Sequence, residues 1–130
     1  MNLRDEAIVR MLYNTGARLS EVADLRVYDV NMDTDTVHYR GKGSKERRVR
    51  FGPRAGRSLG RYLRARNRHT GFSLPSMWLA ERGGRPLSAN GVKIMLRRRG
   101  LQAGVDGVHA HRWRHNYAHE WKLAGGTPVT

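Results

Sequence analysis

At 130 residues, with 25 lysines and arginines against 11 acidic residues, the chain carries a net charge of +14 at neutral pH and has the length of one domain with a modest core. That balance makes nucleic acid the leading partner, because each cation that neutralises a phosphate frees condensed counterions. The absence of cysteine excludes a disulfide framework, thiolate catalysis and cysteine-based zinc sites, and no segment is apolar for long enough to span a bilayer, so no membrane partner is expected.

Leu3, Ala7, Ile8, Met11 and Leu12 recur at helical spacing, which predicts an amphipathic helix over residues 2–14 that stops at Thr15-Gly16. Asp5, Glu6 and Arg10 interrupt that apolar stripe, so it does not read as a secretory signal, and the cytoplasm is the expected compartment. Ser20 is a candidate cap for a short second helix reaching about Leu25, with Val22 and Leu25 inward, before an exit through Tyr28-Asp29-Val30-Asn31. Two β-prone runs, residues 36–40 and 47–51, flank Gly41-Lys42-Gly43-Ser44-Lys45 and predict a hairpin whose loop presents two lysines. After Gly52-Pro53, Leu59, Tyr62 and Leu63 mark the buried stripe of an arginine-rich helix ending near Arg68. Met77-Trp78-Leu79-Ala80 suggests a short strand, followed by the Gly83-Gly84-Arg85-Pro86 turn. A helix capped by Ser88 then turns Val92, Met95 and Leu96 inward and stops at Gly100. A last helix from about His111 to Leu123 would bury Trp113, Tyr117 and Trp121, ending at Gly125-Gly126 before the tail at Pro128. The sum is an α+β domain, mainly helical with a small antiparallel sheet.

Three segments stand out: Thr-Gly-Ala-Arg-Leu-Ser-Glu at 15–21, Gly-Lys-Gly-Ser-Lys-Glu-Arg at 41–47, and His-Arg-Trp-Arg-His at 111–115. Together, and in this order, they resemble the tyrosine recombinases of the phage integrase type, whose catalytic core has the DNA breaking-rejoining fold. The resemblance runs from about Leu3 to the end of the sequence. It implies site-specific recombination or integration by transesterification on double-stranded DNA, in a bacterial or phage-encoded enzyme that works as a tetramer, with no ATP, metal or other cofactor.

Residue by residue, the resemblance implies that Arg18 and Arg114 clamp the non-bridging oxygens of the scissile phosphate, a task suited to a planar, permanently charged fork. Lys42 matches the lysine that protonates the departing 5′ oxygen, and His111 the histidine that orients phosphate or moves protons. Glu21 resembles the acidic support of the first arginine, and His115 stands beside the second. Lys45, Arg47, Arg64, Arg97 and Arg98 are candidate DNA contacts. Relatives continue to a Leu-Gly-His segment and a tyrosine nucleophile, and begin with a core-binding domain. Residues 1–130 are therefore expected to be a partial catalytic domain that binds DNA without cutting it.

Simpler readings stand beside these. Tyr117 lies on the Trp113-Tyr117-Trp121 stripe, so core packing competes with a nucleophile's role. His111, His115 and His119 share one helix face without a patterned fourth ligand, so a metal site is not expected. The runs Arg61-Arg64-Arg66-Arg68 and Arg97-Arg98-Arg99 are solvated faces or phosphate contacts, and the net charge favours contacts. A non-catalytic DNA-binding remnant and a basic structural nucleic-acid-binding protein remain the alternatives.

Overall fold

The computed structural model describes residues 2–41 and 45–102. Helix α1 (Leu3–Thr15) begins where the Asn2 side chain accepts from the Asp5 N–H at 2.8 Å. It ends where Gly16, at φ 66°, donates its N–H to Leu12 at 3.1 Å, a left-handed stop that favours glycine. Helix α2 (Leu19–Ala23) follows at once. A 3₁₀ turn at Val27–Asp29 leads to β1 (Val30–Asn31), and then come β2 (Thr36–Arg40), β3 (Glu46–Arg50), α3 (Pro53–Arg66) and α4 (Ala89–Gln102).

The strands form one antiparallel sheet in the order β1-β2-β3, with Val37 opposite Val49 and Tyr39 opposite Arg47. Alternation therefore turns Val37, Tyr39, Arg47 and Val49 to one face and His38, Arg40, Glu46 and Arg48 to the other. The first face covers a core built from Ile8, Met11 and Leu12 of α1, Leu59 and Tyr62 of α3, Trp78, and Val92 and Leu96 of α4, all buried. Gly52 ties the start of α3 to α1 by donating to Asn14 Oδ1 at 2.6 Å.

The hairpin, the α1 stop, the α3 stripe and the Ser88 cap agree with expectation, Ser88 Oγ accepting from the Gly91 N–H at 3.0 Å. Other details differ. Ser20 does not cap α2, because the helix starts at Leu19 with Arg18 as its cap residue and Ser20 already inside. The second hairpin strand is Glu46–Arg50, and Phe51 lies beyond it, its N–H given to Asp35 at 2.9 Å. Val30–Asn31 pairs as a third strand where only an exit was expected. The helix α4 passes through Gly100 to Gln102. Upstream, Arg99 grips the buried Asp5 carboxylate of α1 at 2.7 Å, a tertiary anchor set against the ~1 kcal/mol glycine penalty.

Residues 77–80 make a single isolated bridge, Leu79 to Pro86, instead of a strand. Their backbone is engaged from the side. Arg66 is only 5% exposed, and its guanidinium donates to the carbonyls of Met77 at 3.1 Å, Phe72 at 2.9 Å, and Leu74 and Ser76 at 2.6 Å each. Tyr62 adds a bond to the Met77 carbonyl at 2.8 Å and accepts from the Leu79 N–H at 3.0 Å. The Met77 carbonyl thus takes two side-chain donors where a ladder would supply a strand's N–H. Trp78 then fills the core, with its indole N–H on the Val22 carbonyl at 2.7 Å.

Arg66→Met should therefore strand several buried carbonyls and lower stability by about 3 kcal/mol, read by urea unfolding. Arg64→Ala, on the exposed face of the same helix, should change it by less than about 0.5 kcal/mol.

Candidate functional site

The left-handed stop at Gly16 turns the chain so that buried Ala17 anchors the junction and Arg18 emerges as the cap residue of α2, its side chain exposed. Glu21, three residues on, reaches back and accepts the Arg18 backbone N–H at 2.9 Å. The same carboxylate receives the fork of Arg47 from β3, Nε on Oε2 at 3.1 Å and Nη2 on Oε1 at 3.0 Å. Glu21 is 8% exposed. Burial acts to raise its pKa, but the Arg47 hydrogen bonds, the Arg18 N–H and the charges of both arginines outweigh it and hold the carboxyl below its usual value.

Arg47 also lies over the ring of Tyr39, its guanidinium carbon 5.4 Å from the centroid. The Tyr39 hydroxyl meets Thr15 Oγ1 at 2.8 Å, and Thr15 donates to the Met11 carbonyl at 2.6 Å. Burial pushes the Tyr39 phenol well above its ordinary pKa, so it stays neutral. One chain of contacts thus runs from the end of α1, through the sheet, to the start of α2.

These elements border a cleft of about 580 Å³ lined by Arg18, Ser20, Glu21, Gly41, Lys45, Glu46 and Arg47. Lys45 is exposed at the hairpin end, where its carbonyl accepts the Gly41 N–H at 2.6 Å. A Cβ on Gly41 would sit 2.7 Å from that carbonyl oxygen, so the close approach demands glycine. No ion pair to Arg18 is present among the described residues.

The structure thus brings together Arg18, Glu21, Lys45 and Arg47. Glu21 supports Arg18 through its backbone, and the carboxylate's guanidinium partner is Arg47. Arg64 on α3 and Arg97 and Arg98 on α4 are exposed and take no part in lining the cleft. Two members of the arginine runs face inward, Arg66 to its carbonyls and Arg99 to Asp5. Lys42, His111, Arg114, His115 and Tyr117 lie outside the described residues. The Thr15–Tyr39 contact was not anticipated, although alternation along residues 36–40 already turns Tyr39 inward. No helix among the described residues is long and apolar enough to cross a membrane.

The sequence pattern of the Phage integrase family matches residues 1–125. The chain is 39% identical over 131 residues to tyrosine recombinase XerD of Corynebacterium glutamicum, covering 99% of this chain and 42% of that protein. It is 37% identical over 119 residues to tyrosine recombinase XerC of Staphylococcus haemolyticus, covering 89% and 39%. Among solved structures, XerA recombinase superposes with a TM-score of 0.85 at 29% identity over 97% of this chain and 46% of that one. XerH recombinase bound to its difH substrate shares the fold, with a TM-score of 0.73 at 20% identity over 95% and 36%. The chain spans less than half the length of each of these relatives.

A carboxyl whose folded pKa is depressed contributes stability above its unfolded value, and that contribution disappears as pH falls through the folded one. The melting temperature should accordingly fall on acidification below about pH 4. Glu21→Gln should melt lower at neutral pH and show a shallower acid limb, measured by circular dichroism across pH.

Proposed function

Because this chain belongs to the phage integrase family, we propose that residues 1–130 are the phosphate-activating part of a catalytic domain that recombines double-stranded DNA at specific sites. The observation that carries this reading is the state of Arg18. Its backbone is fixed by Glu21 at 2.9 Å while its guanidinium stands exposed at a cleft that also holds Lys45. A bidentate cation on a fixed backbone, without an ion pair among the described residues, suits a phosphate with two non-bridging oxygens.

In the proposed reaction a tyrosine oxygen attacks the phosphorus, a 3′-phosphotyrosyl bond forms, and the 5′ oxygen leaves with a proton. Ligation reverses those bonds, so the phosphodiester energy is conserved. Charge rises on the non-bridging oxygens as attack proceeds, and cations fixed beforehand stabilise that state more than the ground state. Arg18 and Arg114 would share this task. Lys42, from the hairpin loop, would deliver the leaving-group proton, and His111 would orient the phosphate, with His115 in support.

Tyr39 and Tyr62 are unsuited to the nucleophile's role. Both are buried, both phenols are pushed up by desolvation, and both hydroxyls are engaged, with Thr15 and with the Met77 carbonyl. Tyr28 stands clear of the cleft. The reading therefore assigns the nucleophile to none of these three tyrosines, and the enzyme would act as a tetramer on two duplexes in the bacterial cytoplasm.

Arg18→Ala should weaken binding to a nicked duplex carrying a vanadate phosphate mimic by about 2 kcal/mol, roughly thirtyfold. Arg64→Ala should cost far less in the same titration. Equal losses at both positions would leave a generic basic surface and remove the active-site reading.

A further inference from the structure

The outer face of the sheet carries a second concentration of charge, turned away from the Arg18 cleft by strand alternation. A hollow of about 500 Å³ there is lined by Arg26, Tyr28, Arg40 and Arg48, with Asp29 and His38 at its floor. Tyr28 is 67% exposed, unusual for so large a ring. Its surroundings explain the exposure. The Arg26 guanidinium donates to the Tyr28 hydroxyl at 2.6 Å and lies 6.0 Å from the ring centroid, and Arg40 lies 5.8 Å from the same centroid. The ring spaces and orients two guanidiniums.

Asp29 anchors the arrangement from below. Its side chain is 4% exposed, it accepts the Arg26 backbone N–H at 2.8 Å and pairs with Arg40, and His38 stands 3.9 Å away. The other carboxylate on this face, Glu46, lies 3.4 Å from His38. Arg26 and Arg48 carry no ion pair among the described residues, and Arg40 keeps donors beyond the one given to Asp29. The acids of the hollow are thus engaged, while guanidinium donors still face solvent from side chains already held in place. Such preorganisation lowers the entropy lost when they meet a ligand.

We propose that this hollow is a second DNA contact, taking backbone phosphates of a duplex at positions other than the scissile phosphate. The inference rests on the DNA reading given above. Planar forks fit phosphate oxygens in pairs, and the guanidiniums of Arg26 and Arg40 both stand beside the Tyr28 ring, 6.0 and 5.8 Å from its centroid. Contact is made to the backbone and carries no sequence preference of its own. The hairpin would then hold DNA phosphates from both sides of its sheet.

The test is the salt dependence of binding to a labelled duplex, followed by fluorescence anisotropy, for the unaltered chain, Arg26→Gln/Arg48→Gln, Thr36→Lys and Arg18→Ala. Melting curves confirm that each is folded. Each phosphate contact contributes about 0.9 to the slope of log K against log salt. Losing two should flatten that slope by about 2, and the lysine added on the same face by Thr36→Lys should steepen it by about 1. Destabilisation cannot mimic the second change. An unaltered slope in the glutamine variant, with Arg18→Ala still weakening binding, overturns the second contact and leaves the active-site reading standing. A glutamine variant that loses only thermal protection by inorganic phosphate also overturns it, because the hollow would then hold a small anion instead of DNA. If the unaltered chain fails to bind the duplex, both readings fall together.

Discussion

The Glu21 carboxylate is the constraint on which the site depends. A buried carboxylate is expensive unless its oxygens are answered, and here they are answered by two separate stretches of backbone, the start of α2 through the Arg18 N–H and strand β3 through Arg47. Arg47 rests on Tyr39, and Tyr39 bonds to Thr15 at the last turn of α1. The hairpin is therefore fastened to the helix junction by side chains, at a place where the chain offers only a five-residue helix and a three-stranded sheet. Pairing such as this is less a source of net stability than of geometry, since removing either partner leaves the other charge buried or misplaced.

A second lesson lies in how the positive charge is divided. Read from composition, +14 describes a uniformly cationic surface. The fold withdraws part of it. Among the described residues Arg66 has no carboxylate partner, yet its donors meet four carbonyls, which stitches the segment from Phe72 to Met77 to α3. Arg4 and Arg99 close on Asp5, itself 3% exposed, and so join α4 to α1. Buried guanidinium works here because five donors in a plane can be satisfied by fixed carbonyls, as an ammonium could not manage with the same reach. Among the described residues, exposed cations include Arg18 and Lys45, the outer sides of α3 and α4, and the outer sheet face.

Local signals in the sequence anticipated what local physics decides. The helix stop at Thr15-Gly16, the break at Gly52-Pro53 before α3, Ser88 as a cap and the β-prone run of residues 36–40 are each set within a few residues of chain, and each is found. Contacts made across long separations escaped. Glu21 and Arg47 are 26 positions apart, and nothing near either announces the pair. Arg66 looked like its exposed neighbours because its carbonyl partners carry no side-chain signature. Met77-Trp78-Leu79-Ala80 has a strand's composition, yet Met77, Trp78 and Leu79 are buried by packing while the Met77 carbonyl goes to Arg66 and Tyr62, the Leu79 carbonyl to Arg4 and the Ala80 carbonyl to His69. Gly100 reads as a stop only if α4 is considered without its anchor at Asp5.

The way Arg18 is held bears directly on what it can do. A carboxylate paired with its guanidinium would fix the side chain and also cancel its charge, and an incoming phosphate would have to displace an ion already in place. Glu21 instead takes the backbone N–H, and its side-chain hydrogen bonds go to Arg47, which lines the same cleft. Position is thereby supplied without neutralisation. In the proposed reaction the desolvation would fall on the phosphate and on an arginine without an ion pair among the described residues, whose mutual attraction would strengthen as water leaves. An arrangement of this kind would matter little to a protein that merely coats nucleic acid, for which any exposed arginine would serve, whereas the proposed reaction would need it to favour a transition state over a bound phosphate.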